Sequence, residues 1–157
     1  MISTLPYRLG VGLIIINDQS KIFTGCRLDS SKAWQMPQGG IDDKEIPLEA
    51  AYREMLEETG IEKSKVVLIK QSKNWYRYDL PKEIQSKFWG GRFRGQSQKW
   101  FLFQFNGIDA DINIETKDQE FSDWKWSQKS DMLENIVPFK KSLYKSVLTD
   151  LGLHLRN

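Results

Sequence analysis

The strongest structural pattern in the sequence is a charged segment that runs from Pro47 to Gly60. Proline is favoured in the first turn of a helix, and glycine is favoured just after the last turn. Between these two residues, Leu48, Ala51 and Met55 recur at the spacing of one helical face. The segment therefore predicts a helix that buries one apolar stripe and keeps its charged residues on the other faces.

Three glutamates in the second half of this helix break an ordinary helix rule. Glu54, Glu57 and Glu58 stand at positions i, i+3 and i+4, so their side chains crowd one region of the surface near the negative end of the helix dipole. A bound divalent cation would compensate this repulsion, and a set of oxygen ligands suits Mg²⁺ or Mn²⁺. A solvated acidic face is the alternative that these three residues leave open.

Length and composition are typical of one domain over residues 1–157, since 39% of the residues are hydrophobic. The longest apolar run, Leu9 to Ile16, is too short to span a membrane. The single cysteine, Cys26, cannot form an internal disulfide, and with the single histidine, His154, it cannot complete a four-ligand zinc site. We expect a cytoplasmic protein with no membrane partner, and we expect His154 on the surface.

The formal net charge is only +2, but the charges are unevenly distributed. Between Gly39 and Ile61 there are seven acidic residues and two basic ones, whereas between Glu62 and Trp100 there are ten basic residues and three acidic ones. The acidic segment could bind a metal ion, and the basic segment could bind phosphates. The alternative is that both segments are ordinary charged surfaces exposed to solvent.

The remaining pattern predicts strands on both sides of the helix and a second helix near the end of the chain. Turn residues after the first strand favour a hairpin, and Pro81 to Gln98 is expected to form a long irregular loop. Another loop before the helix is marked by Asp29-Ser30-Ser31 and by Pro37, Gly39 and Gly40. This order of elements predicts a mixed α/β domain. The predicted strands are Tyr7–Ile16, about Lys21–Cys26, Val66–Ile69, Asn74–Tyr78, Trp100–Phe105 and Phe121–Trp126, and the last helix is about Phe139–Leu151.

The glutamate segment and the loop before it resemble the complete motif of the Nudix hydrolases. The matching positions are Gly39, Glu45, Arg53-Glu54, an aliphatic Met55, Glu57-Glu58, Gly60 and an aliphatic Ile61. The resemblance implies a Nudix-type α/β/α sandwich with a mixed central sheet. It also implies hydrolysis of a nucleoside diphosphate that is linked to another group.

The same resemblance implies a catalytic set that binds Mg²⁺ or Mn²⁺. Its metal ligands would be Glu54, Glu57 and Glu58, together with the backbone carbonyl of Gln38. Arg53 is counted with the catalytic residues, because pairing with a carboxylate would fix the rotamer of that carboxylate.

Several segments outside this motif resemble the bacterial RNA pyrophosphohydrolases, which are also described as dinucleoside polyphosphate hydrolases. The resemblance implies that 5′-triphosphate or diphosphate RNA ends are converted to monophosphates, which initiates RNA decay. A dinucleoside polyphosphate substrate and a non-catalytic RNA-binding module are the alternatives, and a monomer is expected. The segments are Tyr7-Arg8, Trp34–Gly40, Asn74–Pro81, Gly95–Phe101, Glu120-Phe121, Trp124–Trp126, and Phe139-Lys140 with Tyr144.

In this group a glutamate that matches Glu120 joins the metal site. Residues that match Arg8 and Arg27 lie near the substrate phosphates or terminal base, and Phe139 matches a position that stacks on a nucleobase. Tyr78 is included with them as a substrate-binding residue. From the residues alone, Glu120 could be a surface acid, the arginines could be ordinary surface residues, and Phe139 could be part of the core.

Overall fold

A computed structural model of the chain describes residues 4–29 and 32–153. Within these residues, four α-helices flank eight strands of one sheet. The helices are α1 (Pro47–Thr59), α2 (Lys82–Gln85), α3 (Lys129–Asn135) and α4 (Pro138–Asp150). The strands are β1 (Tyr7–Ile16), β2 (Ile22–Arg27), β3 (Trp34–Gln35), β4 (Gln38–Gly40), β5 (Val66–Gln71), β6 (Tyr76–Asp79), β7 (Gly95–Phe105) and β8 (Phe121–Ser127).

The two longest strands, β1 and β7, lie next to each other at the centre of the sheet. They run parallel over ten paired residues, from Tyr7 opposite Gly95 to Ile16 opposite Gln104. The other pairings are antiparallel: β1 also pairs with β2 and β4, β2 pairs with β3 and β8, and β7 pairs with β5 and β6. The sheet is therefore mixed, as predicted.

Alternate residues of β1 enter two different cores, because successive side chains of a strand point to opposite faces. Ile14 and Ile16 pack with residues of α3 and α4, such as Met132 and Tyr144. Leu13, by contrast, packs with Phe103 of β7 and with α1 residues on the other face. Since helices cover both faces of the mixed sheet, the predicted α/β/α sandwich is confirmed.

Helix α1 begins and ends as the sequence predicts. Pro47 occupies its first turn, and the Glu49 carboxylate accepts a hydrogen bond of 3.1 Å from the backbone N–H of Ile46. Gly60 ends the helix with a φ of 74° and donates its N–H to the Leu56 carbonyl. Such a left-handed position favours glycine, which has no Cβ. Both ends of the helix are therefore capped.

The prediction of an irregular loop from Pro81 to Gln98 is wrong at both ends. Residues Lys82–Gln85 form α2, and Gly95–Gln98 are the first part of β7. This part of β7 is polar yet buried, because it lies between β1 and β6 and its glutamines bond to each other. The polar composition of this segment gave no indication of a central strand, because its burial depends on neighbouring strands that are distant in the sequence.

Three further short elements were not predicted. Helix α3 was missed, and β3 and β4 lie in the region that was expected to be a loop before α1. Strands of two or three residues have too few positions to show an alternation of polar and apolar side chains. His154 and residues 30–31 of the predicted loop lie outside the described residues. None of the helices described is both long and apolar enough to cross a membrane.

Candidate active site

Most of the predicted site residues meet around one cavity of about 360 Å³. Strands β1, β4 and β6, helices α1 and α4, and the segment between β6 and β7 all contribute to its wall. The lining includes eight of the ten predicted site residues: Arg8, Arg27, Gln38, Glu54, Glu58, Tyr78, Glu120 and Phe139.

Strand register brings the polar side chains of the cavity to one face. Gln96 of β7 is opposite Arg8 of β1 on one side and opposite Tyr78 of β6 on the other. Residues opposite one another in neighbouring strands point to the same face of a sheet. A guanidinium, an amide and a phenol therefore line one surface although they are far apart in the sequence.

Two glycines of β4 allow charged groups to approach the backbone closely. A Cβ on Gly39 would lie 2.0 Å from the carboxyl carbon of Glu54, and a Cβ on Gly40 would lie 2.1 Å from a terminal nitrogen of Arg8. A Cβ at either position would displace the charged group that lies there. The glycine pair of the motif therefore lets a helix carboxylate and a strand arginine reach the same cavity.

Arg53 connects the glutamates of α1 to the loop before the helix. Its Nε donates to Oε2 of Glu45 at 2.8 Å, and its terminal nitrogens donate to Oε1 of Glu54 at 2.8 Å and to the Gly40 carbonyl at 2.7 Å. The hydrogen bond from Arg53 lowers the pKa of Glu45, while Glu45 and Glu54 raise the pKa of Arg53. A guanidinium in such a network holds the Glu54 carboxylate in one orientation.

Glu54 and Glu58 form a carboxylate pair whose charge is poorly compensated. The two carboxyls lie close enough for each to influence the pKa of the other. Burial raises the pKa of Glu54, and burial together with the charge of Glu54 raises the pKa of Glu58 well above its usual range. The Gln38 backbone N–H opposes this by donating a hydrogen bond to Glu58.

The chemistry of this pair fits a divalent cation. Oε2 of Glu58 is buried and has no hydrogen-bond partner in the described part of the chain, and a buried polar atom of this kind is rare in native structures. Two facing carboxylates with one oxygen left over offer the hard ligands that Mg²⁺ or Mn²⁺ prefers.

The predicted ligand set is nevertheless not fully gathered. No group of three or more Asp, Glu, His or Cys side chains within residues 4–29 and 32–153 is placed to hold a metal ion. Glu57 is exposed, and its Oε2 lies 3.1 Å from a terminal nitrogen of Arg53 instead of lining the cavity. Of the predicted carboxylates, the cavity therefore contains Glu54, Glu58 and Glu120.

Glu120 lies at the rim of the cavity, immediately before β8. Its backbone carbonyl accepts the N–H of Leu28, which ties it to the end of β2. Partial desolvation raises the pKa of its carboxyl, and the charge of Arg27 opposes that shift. Arg27 in turn is held by Asp29 at 2.5 Å.

Phe139 and Tyr78 form an aromatic contact on the wall of the cavity. Their ring centroids lie 5.9 Å apart, and Phe139 is half-buried while Tyr78 is nearly fully buried. Phe139 also packs against the core beside α4. The two roles considered for Phe139, core packing and a face toward the substrate, are therefore both compatible with its position.

Lys140 lies in the cavity wall, and the sequence prediction did not select it as a site residue. Its side chain is 2% exposed, and its Nζ lies 5.0 Å from the centroid of the Tyr78 ring and 3.4 Å from Oε1 of Gln35. Burial lowers the pKa of Lys140 to about 7. A signal was available, because Lys140 is in helical register with the apolar residues Leu143 and Val147.

The comparisons with known proteins agree with this architecture. A family model described as the NUDIX domain matches residues 6–147. The chain is 48% identical over 155 residues to an RNA pyrophosphohydrolase of Roseobacter denitrificans, and this alignment covers 98% of this chain and 97% of that protein. It is 50% identical over 147 residues to an RNA pyrophosphohydrolase of Dinoroseobacter shibae, and that alignment covers 93% of this chain and 92% of the relative.

A solved structure with a similar fold is a binary complex of a C. elegans Ap4A hydrolase. It matches with a TM-score of 0.69 at 22% identity and covers 92% of this chain and 98% of that chain. At this low identity, the similarity shows only that the two proteins share a fold. The family model matches most of the chain, and the first of the two relatives is 48% identical over 98% of it, so the chain belongs to the Nudix family.

Proposed function

We propose that this protein is a metal-dependent RNA pyrophosphohydrolase that converts 5′-triphosphate or diphosphate RNA ends to 5′-monophosphates and so initiates RNA decay. The observation that carries the proposal is the buried Glu54–Glu58 pair, which faces a cavity that is also lined by cationic and aromatic side chains. The high identity to two RNA pyrophosphohydrolases supports the choice of substrate.

In this proposal, the facing pair Glu54 and Glu58 binds the cation, and Glu57, Glu120 and the Gln38 carbonyl complete the set that the family resemblance implies. A bound Mg²⁺ or Mn²⁺ would neutralise phosphate charge and lower the pKa of a bound water. Arg53 keeps Glu54 oriented through its network with Glu45 and the Gly40 carbonyl.

The opposite wall of the cavity would bind the end of the substrate. Arg8 and Arg27 present guanidinium groups to the phosphates, and planar guanidinium groups suit phosphate oxygens. Lys140, whose pKa is about 7, adds a positive charge when it is protonated. Phe139 and Tyr78 offer aromatic surface to the first nucleobase, an interaction worth about 1–3 kcal/mol per base. We further propose that residues 1–157 act as one domain, as a monomer in the cytoplasm.

Substrate preference is tested by comparing kcat/KM for triphosphorylated RNA, diadenosine tetraphosphate and a free nucleoside triphosphate, with Mg²⁺ and with Mn²⁺. We expect the RNA to be turned over most efficiently and EDTA to abolish turnover. Faster turnover of the dinucleotide would favour the alternative substrate. Absence of turnover with all three would favour a non-catalytic RNA-binding module.

The metal site is tested with Glu58→Gln, which keeps the shape of the side chain and removes its charge. We expect kcat to fall by at least about 100-fold, a usual effect of losing a reacting carboxylate. In EDTA at pH 7 the same variant should be more stable by about 1–3 kcal/mol, because the wild type must either bury a charge at Glu58 or take up a proton there when it folds. Chemical unfolding and calorimetry measure this change.

The matched control is Glu134→Gln, on the exposed surface of α3, which should change neither quantity. Added Mg²⁺ should raise the Tm of the wild type and of Glu134→Gln, since a ligand of the folded state stabilises it. It should not raise the Tm of Glu58→Gln. Full activity of Glu58→Gln, or an equal Mg²⁺ effect on its Tm, would contradict the metal assignment.

A further inference from the structure

The segment between β6 and β7 places two aromatic side chains in the wall of the cavity. We call residues 86–94 the aromatic loop. Phe88 and Trp89 from this loop line the same cavity as Glu54 and Glu58, and both rings are half-buried. This region was predicted to be irregular, and none of its residues has a role in the proposed reaction.

The backbone of the aromatic loop is strained at Trp89. Its φ is 49°, in the left-handed region that large side chains rarely adopt, and Gly90 and Gly91 follow with φ values of 68° and 72°. The Gly91 N–H closes the turn by donating to the Phe88 carbonyl at 2.9 Å. Glycine would relieve the strain at position 89, so the indole must contribute something that the turn itself does not need.

The indole contacts one of the two arginines in the cavity. The guanidinium carbon of Arg8 lies 5.2 Å from the centroid of the Trp89 ring, and the Phe93 ring meets the same indole edge-on at 6.1 Å. Arg8 forms none of the ion pairs found among the described residues. The Trp89 ring on one side and the Cβ-free Gly40 on the other therefore define where this guanidinium lies.

Arg27 provides an internal comparison within the same cavity. Its guanidinium carbon lies 5.8 Å from the Phe88 ring, but its side chain is also held by Asp29 at 2.5 Å and by Oε1 of Gln35 at 3.4 Å. Arg27 therefore has polar groups that orient it without Phe88. Among the described residues Arg8 has no such short ion pair, and the charges of Glu54 and Asp42 act on it without forming a salt bridge.

We propose that Trp89 is a positioning residue that holds the Arg8 guanidinium toward a substrate phosphate, and that the left-handed turn serves to aim its indole. The inference rests on the proposed function, because it assigns Arg8 to phosphate binding. A cation over an aromatic face keeps its polar edge free for hydrogen bonds to an anion.

The test is Trp89→Asn, because asparagine tolerates the left-handed region but has no aromatic face. We expect little change in Tm, because relief of the strained φ offsets the packing that the indole makes against the core. We expect KM for triphosphorylated RNA to rise about 3- to 10-fold, the range that corresponds to loss of one partly buried cation–π contact, with kcat changed less than about twofold. Trp89→Phe should restore most of the affinity, because it restores the ring.

A double-mutant cycle with Arg8→Gln separates positioning from general disruption. If Trp89 acts through Arg8, adding Trp89→Asn to Arg8→Gln should raise KM no further. Phe88→Leu should have a smaller effect than Trp89→Asn, since Arg27 keeps its polar partners. Trp75→Leu, which removes an exposed ring 5.9 Å from Lys99 outside the cavity, should leave KM unchanged.

Binding of inorganic tripolyphosphate, measured by calorimetry, makes the inference independent of turnover. Trp89→Asn should weaken this binding by the same factor as it raises KM. Lack of activity of the wild type on every substrate would overturn the proposed function, while the tripolyphosphate comparison would still decide the role of Trp89. Additive effects in the cycle, unchanged tripolyphosphate affinity, or a joint fall of Tm and kcat would overturn the positioning role.

Discussion

Two titratable side chains of the cavity lie where water has little access. Lys140 and Glu58 are both buried, at 2% and 3% exposure, and burial lowers the pKa of the lysine while it raises the pKa of the glutamate. Both shifts favour the neutral forms, because burial disfavours charge. The cavity therefore stores unfavourable electrostatic free energy that an anionic substrate and a cation would release.

Lys140→Met should make the protein more stable, and the gain should depend on pH. The folded pKa of Lys140 is about 7 and its unshifted value is 10.5, so between these values the unfolded chain binds a proton that the folded chain lacks. The stability of the wild type should therefore rise with pH from 7 to 10, by at most about 1.4 kcal/mol per pH unit. The stability advantage of Lys140→Met should shrink by the same amount over this range.

Urea unfolding in EDTA at several pH values measures this difference, and Lys141→Met is the matched control. Lys141 is the exposed neighbour of Lys140 on the same helix, so its removal should give no pH-dependent gain. A stability difference between wild type and Lys140→Met that stays constant from pH 7 to 10 would contradict the lowered pKa of Lys140.

At the scale of elements, the site depends on how α1 and β4 are docked together. The close approach at Gly39 lets Glu54 reach the cavity, and Arg53 joins the helix to the Gly40 carbonyl. The end of the helix is docked as well, since the Asn113 N–H donates to the Thr59 carbonyl at 2.8 Å. The position of the glutamates is therefore set by contacts at both ends of α1.

Gly60→Ala should destabilise the protein more than Gly152→Ala. Both glycines have positive φ values, 74° and 85°, so each alanine meets a backbone penalty of about 1–2 kcal/mol. Only at Gly60 would the new Cβ also meet backbone, 2.7 Å from the Asn113 carbonyl oxygen, whereas nothing lies within 4 Å at Gly152. Thermal and urea unfolding of the two variants measure the difference, and equal losses would show that the Asn113 contact relaxes freely.

At the scale of the whole molecule, two cores on opposite faces of one sheet support a surface of uneven charge. The acidic segment supplies the carboxylates of the cavity, and the basic segment from Glu62 to Trp100 forms β5, β6 and the first part of β7. Arg77 and Arg94 both lie beside the Tyr7 ring, at 5.0 and 4.8 Å from its centroid. Since Asp79 pairs with Arg94 at 2.7 Å, Arg77 supplies the excess positive charge of this strand edge, which lies beside the first part of β7.

The basic edge predicts that RNA turnover is more sensitive to salt than turnover of a small substrate. Each RNA phosphate that the protein neutralises should add a slope of about −0.7 to the dependence of log kcat/KM on log salt, because counterions are released on binding. We expect a steeper slope for a triphosphorylated RNA of about ten nucleotides than for diadenosine tetraphosphate. Equal slopes would show that the chain beyond the first nucleotides does not contact this surface.

Local patterns in the sequence were sufficient to predict the main elements and the sandwich. Pro47, Gly60 and the apolar stripe between them predicted α1, and the apolar run of β1 predicted the central strand with the bounds that the structure has. These elements are predictable because capping, helical periodicity and continuous hydrophobic runs act within one segment. The spacing of the glutamates also placed Glu54 and Glu58, four residues apart, on one side of the helix.

Only the tertiary structure decided which side chains face the cavity. Glu57 belongs to the same i, i+3, i+4 set as Glu54 and Glu58, but it pairs with Arg53 instead of lining the cavity. The Arg53 guanidinium is itself held in place by Glu45 and the Gly40 carbonyl. The burial of Lys140 is likewise decided by elements that are distant in the sequence and that pack around it. Since burial and strand pairing depend on such distant neighbours, the sequence alone determined the elements and the chemical class of the site, and the folded chain decided its geometry.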